Sequence, residues 1–221
     1  MSALAGFVCA LAFSAIPGPI NLTILNEGAR RGFRWAFLIG LGATVMDCIY
    51  CAISFTGFST VLYNNLVKAA MQVFSFVFLL YLGYKFLSAQ SVEVPNKLDS
   101  ASEKIEARLE EKLHPHSAFM TGFVRVLGNL GVLLAWVGCS VFLLAHDWVA
   151  PSLAARAACV GGVFTGANVW FLMLSYGISR GHGKFSVRTM LRLQHLSGLG
   201  LILAGLIAGG NIIWHLARHK H

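Results

Sequence analysis

Apolar stretches long enough to cross a membrane recur along the whole chain. A transmembrane helix needs about 20 consecutive, mostly apolar residues. Six stretches meet that requirement, roughly Ala3–Asn26, Trp35–Phe58, Leu66–Ser88, Ala118–Ala145, Leu153–Ser179 and Leu196–His215. Almost nothing is left over for a soluble domain. The pattern therefore predicts an all-α membrane protein with six transmembrane helices.

One long polar segment separates the third apolar stretch from the fourth. It contains "DSASEKIEARLEEKL", in which apolar residues recur every four positions beside a basic stripe, a pattern typical of a short amphipathic helix. The segment is a surface linker in the simplest interpretation, and a regulatory or docking element in the alternative.

The linker leaves three predicted spans on each side. An odd number of spans places the two halves in opposite orientations, which is the inverted-repeat arrangement of many secondary transporters. Each half also opens on the same phrase, "GFV", at Gly6–Val8 and Gly122–Val124. The prediction is two inverted three-helix repeats joined by a cytoplasmic linker with a short charged helix, over residues 1–89, 90–117 and 118–221.

Composition and charge agree with a membrane protein and give it an orientation. The 221-residue chain is 57% hydrophobic and 12% charged, with a mean hydropathy of +0.69. Most of its 17 Lys and Arg residues fall on the linker side of the predicted spans. The positive-inside rule then predicts a membrane protein with both termini outside. The net charge of +8 is thus explained by the orientation of the protein in the membrane. The positive charges are spread over separate loops, and this distribution does not suggest nucleic-acid binding.

Two prolines interrupt the first apolar stretch near its middle, in the segment "SAIPGPINLT". Each proline removes a backbone N–H and crowds the carbonyl four residues back, so Pro17 and Pro19 are expected to free the carbonyls of Phe13 and Ala15. A residue that precedes proline is also pushed away from helical angles. The sequence therefore predicts that the first helix is broken at Pro17-Gly18-Pro19.

The polarity of this break suits a zwitterion. The second half-helix begins near Pro19, so its amides around Asn21 and Leu22 and the positive end of its dipole favour an anion. The first half-helix ends there with free carbonyls, which favour a cation. A simple packing kink is the alternative.

Asp47 is the one acidic residue expected deep in the membrane. Counting from Arg34 at roughly 1.5 Å per residue places it about 20 Å into an apolar layer about 30 Å thick. An acid at that depth is a functional hypothesis by default, and the structural alternative is a protonated acid that bonds across helices. The depth of Asp47 therefore marks it as a candidate functional residue.

Two asparagines are expected at comparable depth, Asn129 in the fourth span and Asn168 in the fifth. An amide both donates and accepts hydrogen bonds, so these side chains either line the same cavity or bond neighbouring helices. In the last span Gly205 and Gly209 form a GxxxG pair, which favours a close helix contact and could support a homodimer.

The five cysteines raise two rival hypotheses. In "DCIYC", Asp47 precedes Cys48 and Cys51, and thiolates beside a carboxylate could bind a thiophilic metal ion, as in a heavy-metal exporter. Cys9 and Cys139 occupy corresponding spans of the two halves, as a transmembrane thiol–disulfide oxidoreductase would require. Packing as small apolar residues is the alternative to both.

No enzyme motif is visible in the sequence. It has no Ser/His/Asp set, phosphate-binding glycine loop or zinc-type histidine cluster. The sequence therefore predicts a protein that is not an enzyme and needs no cofactor.

Four segments together resemble the lysine exporter (LysE/RhtB-type) family of amino-acid translocators. The most specific is "IPGPINLTILNEGARRGFRWAFLIGLGATVMD" (Ile16–Asp47), with its Pro-Gly-Pro, its basic-Gly turn and its Gly-rich second span that ends in Asp. The others are "YLGYKFL" (Tyr81–Leu87), "FMTGFVRVLGNLG" (Phe119–Gly131) and "SGLGLILAGLIA" (Ser197–Ala208). They touch five of the six predicted spans.

The resemblance implies an inner-membrane secondary transporter in the lipid bilayer. Such a protein exports amino acids or related small zwitterionic metabolites from the cytoplasm, driven by the proton gradient, by alternating access of its two halves. Relatives usually have Asn-Pro where leucine follows Asn129 here, so the resemblance leaves open whether the second half contains a matching helix break. The expected substrate-binding residues are Pro17, Gly18, Pro19, Asn21, Asp47, Asn129 and Asn168, and Asp47 is also expected to couple the proton.

Overall fold

The computed structural model describes residues 1–16, 18–58, 97–113 and 117–180, together with single positions between 73 and 88 and between 191 and 210. The predicted third and sixth spans, Leu66–Ser88 and Leu196–His215, therefore lie largely outside the described residues. The continuous ranges contain helices and no β-strand. The helices are α1 (Ser2–Ser14), α2 (Pro19–Arg31), α3 (Phe33–Phe58), α4 (Lys97–Leu113), α5 (Ala118–Leu127), α6 (Leu130–Ala145) and α7 (Leu153–Ser179).

Two straight helices and two bent helix pairs are apolar enough to cross a membrane. The straight ones are α3, over Phe33–Thr56, and α7. The pair α1 and α2 is bent by 70°, and the pair α5 and α6 is bent by 69°. Large apolar side chains such as Leu4, Ile53 and Leu172 are exposed on these helices, as expected for faces that contact lipid. The described part of the chain thus has two straight spans and, when each pair counts as one, two broken spans.

Helix α3 lies at the centre of the bundle. It packs against α2, α5, α6 and α7, whereas α1 packs mainly against α7. The linker helix α4 packs against α5 and α6. Each broken span is therefore held against a straight span from the other half of the chain.

Glycines let the helix backbones meet where α1 crosses α7. A Cβ atom on Gly6 would collide with the carbonyl group of Cys159, and a Cβ atom on Gly162 would collide with the carbonyl group of Ala3. Small residues allow this close approach of backbones in membrane proteins.

The crossing of α5 and α3 is built in the same way. A Cβ atom on Gly122 would collide with the carbonyl group of Ile39, and one on Gly42 would collide with the carbonyl group of Phe119. In each of the four helices, the glycine lies three positions after the residue whose carbonyl group meets the glycine of the partner helix. The first half of each broken span therefore packs on its straight span through the same pair of glycine contacts.

Among the single positions described after α7, Gly209 lies against the ring of Phe76, 2.7 Å from where its Cβ atom would stand. This glycine of the GxxxG pair therefore contacts the third segment of its own chain. A homodimer stays a prediction.

We expect Gly122→Ala to destabilise the protein, because the new methyl group would collide with backbone atoms of Ile39 and Ala43 that cannot rotate away. Overpacking of this kind costs about 1–3 kcal/mol. Thermal unfolding of the purified protein in detergent, followed by tryptophan fluorescence, should show a lower midpoint.

The matched control is Gly161→Ala. It is the same substitution within α7, but the added Cβ atom meets nothing within 4 Å, so the midpoint should stay or rise. Equal midpoints for the two variants would contradict the close contact at Gly122.

Candidate functional site

The first span breaks between Ser14 and Pro19. The residue that follows α1, Ala15, is still helical, whereas Gly18 is extended (φ −154°, ψ −177°) and Pro19 is the first residue of α2. A Cβ atom on Gly18 would meet nothing within 4 Å, so open space lies beside this residue. Pro17, which the sequence places in the break, lies outside the described residues.

Asn21 closes this break. Its side-chain nitrogen donates to the carbonyl oxygens of Ser14 at 2.9 Å and Ile16 at 2.7 Å. The carbonyl of Phe13, which was expected to be free, instead accepts from the N–H of Ile16 at 3.1 Å. The indole N–H of Trp170 donates to Asn21 Oδ1 at 3.2 Å. The amide of Asn21 is thus used within the protein at both ends, and its role toward a substrate stays a prediction.

The N-terminus of α2 carries no side-chain cap. The N–H of Leu22 donates to the carbonyl of Gly18 at 3.1 Å, and Pro19 has no N–H. The amides that precede the first hydrogen bond of the helix are therefore those of Ile20 and Asn21, one residue earlier than the sequence indicated. The N-termini of α5, α6 and α7 differ, because each is capped by a side chain, those of Ser117, Asn129 and Ser152.

The second broken span bends without a proline. Gly128, which follows α5, remains helical (φ −78°, ψ −12°), whereas Asn129 is extended (φ −89°, ψ 95°). Asn129 Oδ1 accepts from the N–H of Val132 at 3.1 Å, so Asn129 caps the start of α6. The question that the missing proline left open is therefore answered: the second half has a matching helix break, and a capping residue begins the new helix.

Tyr50 of α3 closes the second break from across the bundle. Its hydroxyl oxygen lies 2.8 Å from the carbonyl oxygen of Leu127 and 3.3 Å from that of Val126, at the end of α5. In sequence, Ile39 and Gly42 of α3 lie as far before Cys159 and Gly162 of α7 as Tyr50 lies before Trp170. Each break is thus served by an aromatic hydrogen-bond donor at the equivalent position of a straight span.

Asp47 lies one helical turn before Tyr50 and is hydrogen-bonded to the second broken span. Its Oδ1 accepts from the indole N–H of Trp136 of α6 at 2.8 Å, and both side chains are buried. The ring of Trp136 packs at 58° against that of Phe13, in the last turn of α1, with centroids 5.8 Å apart. By the same spacing in sequence, the position that corresponds to Asp47 in α7 is Ala167, so the acid has no counterpart there.

Asn168 is not joined to these residues by a hydrogen bond. Its side-chain nitrogen donates to the carbonyl of Phe164 on its own helix at 2.8 Å. Its Oδ1 is buried and has no hydrogen-bond partner among the described residues. The structure therefore brings Gly18, Pro19 and Asn21 to one break and Asn129 to the other, and it bonds Asp47 to Trp136 of the second broken span.

Sequence reasoning missed the three aromatic donors Tyr50, Trp136 and Trp170. A signal was available, since the polar atom of a buried Tyr or Trp usually requires a hydrogen-bond partner. These residues lie well inside predicted spans, away from the interfacial belts where membrane proteins concentrate Tyr and Trp.

Among the described residues, no hydrogen bond joins a cysteine to Asp47. The thiol of Cys48 lies 3.9 Å from the carbonyl oxygen of Val160. The other four thiols neighbour one another in two pairs, Cys51 with Cys159 and Cys9 with Cys139. All five are free thiols, and within the described ranges no three His, Cys, Asp or Glu side chains are grouped to hold a metal ion. The residues of the alternative metal site thus have three different neighbours: Asp47 has Trp136, Cys48 has Val160 and Cys51 has Cys159.

Comparison with known proteins agrees with a transporter. The family profile described as LysE type translocator matches residues 11–209. YcgF from Bacillus subtilis (strain 168), provisionally named an amino acid efflux protein, is 26% identical over 206 residues, which cover 93% of this chain and 94% of YcgF. The leucine efflux protein of Klebsiella pneumoniae subsp. pneumoniae is 24% identical over 197 residues, 88% of this chain and 85% of that protein. No solved structure gives a significant match.

The family match covers the break of the first span, the whole second broken span, both straight spans and Asp47. Members of this family are membrane transporters and not enzymes, which agrees with the apolar helices of the structure. This chain therefore belongs to the LysE type translocator family and is an integral membrane protein.

Proposed function

We propose that this protein is a secondary transporter that exports amino acids or related small zwitterionic metabolites from the cytoplasm. Both relatives described above are named for amino acid or leucine efflux, and each match covers most of the chain. The structural observation that carries the proposal is a buried carboxylate, that of Asp47, which is held by a tryptophan of the second broken span whose ring packs against the first.

The two charged groups of an amino acid are assigned to two different features. The uncapped amides at the N-terminus of α2 bind the substrate carboxylate, beside the open space at Gly18. The carbonyls of Ser14 and Ile16, which could attract a cation, already accept from Asn21. The substrate ammonium group is therefore assigned to Asp47.

The asparagines of the second half have supporting roles in this proposal. Asn129 fixes the direction of α6 and hence the position of Trp136, which holds Asp47. The buried Oδ1 of Asn168 is an acceptor without a protein partner in the described part of the chain, and we assign it to the wall of the pocket.

We further propose that Asp47 couples export to the proton gradient. A proton on this carboxyl group removes the charge that attracts an ammonium group, so proton and substrate compete for one site. Coupling then needs no second acid in the same place. The buried Ala167 at the corresponding position of α7 is consistent with a single coupling group.

Residues 1–89 and 118–221 form inverted repeats in this proposal and exchange access by moving against each other. The matching bends of 70° and 69° support it, as do the two equivalent sets of glycine contacts. The positive-inside rule supports an inner-membrane location with the linker in the cytoplasm and both termini outside.

Efflux from vesicles tests the function directly. Vesicles that contain the purified protein are loaded with a mixture of amino acids, or with cadmium or zinc, and studied with and without an imposed pH gradient. We expect gradient-dependent loss of particular amino acids. Loss of metal alone, sensitive to Cys48→Ser, would instead support the heavy-metal exporter.

Replacing Asp47 by Asn should abolish gradient-driven efflux while the protein remains folded. The amide has nearly the same shape and can still accept from Trp136, but it cannot take up a proton or pair with an ammonium group. The measurement is the pH-gradient-dependent efflux rate of the variant in the vesicle assay.

The matched control is Asp147→Asn, in the loop between α6 and α7. Asp147 has a positive φ of 58°, a conformation that Asn also adopts readily, so this variant should keep the wild-type rate. Unchanged gradient-driven efflux by the Asp47 variant would remove that residue from the mechanism.

Replacing Gly18 by Ala should raise the KM for the amino acid without lowering stability. The extended backbone at Gly18 accepts any residue, and the methyl group would fill the open space beside the uncapped amides. Loss of one substrate hydrogen bond, about 1 kcal/mol, corresponds to roughly a five-fold increase in KM. Gly161→Ala, which also adds a methyl group in open space, should leave the KM unchanged. An unaltered KM for the Gly18 variant would place the substrate elsewhere.

A further inference from the structure

A charged residue that the proposed mechanism does not use lies between the two breaks. Arg125 is in the last turn of α5, just before the second break. Its Nε donates to Glu110 Oε1 of α4 at 2.9 Å, and its NH1 donates to Thr23 Oγ1 of α2. Thr23 in turn donates to the carbonyl oxygen of Pro19, at the first break, at 2.8 Å. One guanidinium group therefore joins the linker helix to both broken spans.

The depth of this arginine requires an explanation. A cation within a membrane span is costly, and such residues usually mark a substrate or ion pathway. Arg125 lies at the opposite end of α5 from Ser117, the residue that caps this helix on the linker side.

The linker helix reaches the second break and does not simply run over the surface. A Cβ atom on Gly128 would stand 2.7 Å from Cγ of Glu106 and 3.0 Å from its backbone nitrogen. Glu106 is buried, and α4 packs on both α5 and α6. Glu110, one turn further along α4, is thereby held next to Arg125.

The ion pair between Arg125 and Glu110 is of a kind that another carboxylate can displace. The two side chains are 32% and 35% exposed. Ion pairs with this degree of exposure contribute little stability, because water and salt screen them. The hydrogen bond given for this pair joins Nε to Oε1 of Glu110, whereas a guanidinium group is able to bind a carboxylate through two parallel hydrogen bonds.

We propose that Arg125 recognises the carboxylate of the amino acid on the linker side of the breaks, and that Glu110 is an internal carboxylate that the substrate displaces. The inference rests on the proposed export of amino acids and adds a loading position to it. From Arg125, the substrate carboxylate is one helical turn from the uncapped amides of α2, through Thr23 and Pro19.

The two partners of the ion pair should therefore respond in opposite directions to neutralisation. Glu110→Gln removes the competitor and should raise the efflux rate at low substrate load about 2- to 5-fold. Arg125→Gln removes the recognition group and should lower that rate at least about ten-fold, with partial recovery in Arg125→Lys. A pair that only holds α4 in place would lose the same contact in both variants, and both rates would move in the same direction.

The experiment uses vesicles loaded with a dilute equimolar mixture of the protein amino acids, and parallel vesicles loaded with the corresponding amino acid amides. The amides keep the ammonium group and the side chain but lack the carboxylate charge, so the opposite shifts should be absent with them. Glu27→Gln is the matched control, since Glu27 pairs with Arg31 on α2 at the same 2.9 Å distance, and its rate should equal that of wild type.

The outcomes separate this inference from the proposed function. Shifts in the same direction for Glu110→Gln and Arg125→Gln, or equal shifts for amino acids and amides, overturn the role of Arg125 and leave amino-acid export standing. Failure of the wild-type protein to export any amino acid overturns both. If Arg125→Gln does not fold, the Glu110→Gln rate decides, since an unchanged or lower rate contradicts competition.

Discussion

A helix that breaks inside an apolar layer leaves backbone N–H and C=O groups that only the protein itself, or water in a cavity, can satisfy. Both broken spans meet this constraint with side chains. Asn21 donates to the carbonyls that precede α2, and Tyr50 donates to the carbonyl of Leu127 at the end of α5. Because Tyr50 and Trp170 belong to the straight spans, the same hydrogen bonds that complete the breaks also fix the broken spans against α3 and α7.

The glycine contacts make those hydrogen bonds geometrically attainable. Gly6 and Gly122 let the first half of each broken span approach a straight span until backbone meets backbone. Aromatic side chains from the straight spans can then reach the breaks. The two halves of the chain are nearly equivalent in these contacts, but only one of them carries an acid at this position, because Asp47 of α3 corresponds to Ala167 of α7. A single buried acid thus lies in contact with both broken spans through Trp136 and Phe13.

The polar groups inside the bundle form a connected series that begins at the linker. Glu110 pairs with Arg125, which bonds Thr23, which bonds the carbonyl of Pro19 at the first break. The linker helix is therefore part of the interior arrangement, and its contact with Gly128 brings it to the second break as well. Charged and polar residues in a membrane are costly unless they satisfy one another in this way.

The sequence by itself determined the membrane class, the break at Pro17-Gly18-Pro19 and the buried acid Asp47. These are properties of consecutive residues: long apolar stretches require the hydrocarbon layer of a membrane, and proline locks φ and removes an N–H wherever it stands. The tertiary structure decided the second break at Asn129, the partners of Asp47 and the docking of α4. Those features depend on residues far apart in sequence: the residue numbers differ by 77 for Tyr50 and Leu127, by 89 for Asp47 and Trp136 and by 149 for Asn21 and Trp170. Local pattern carries no information about which distant donor will meet a buried acceptor, because that meeting is set by how the helices pack.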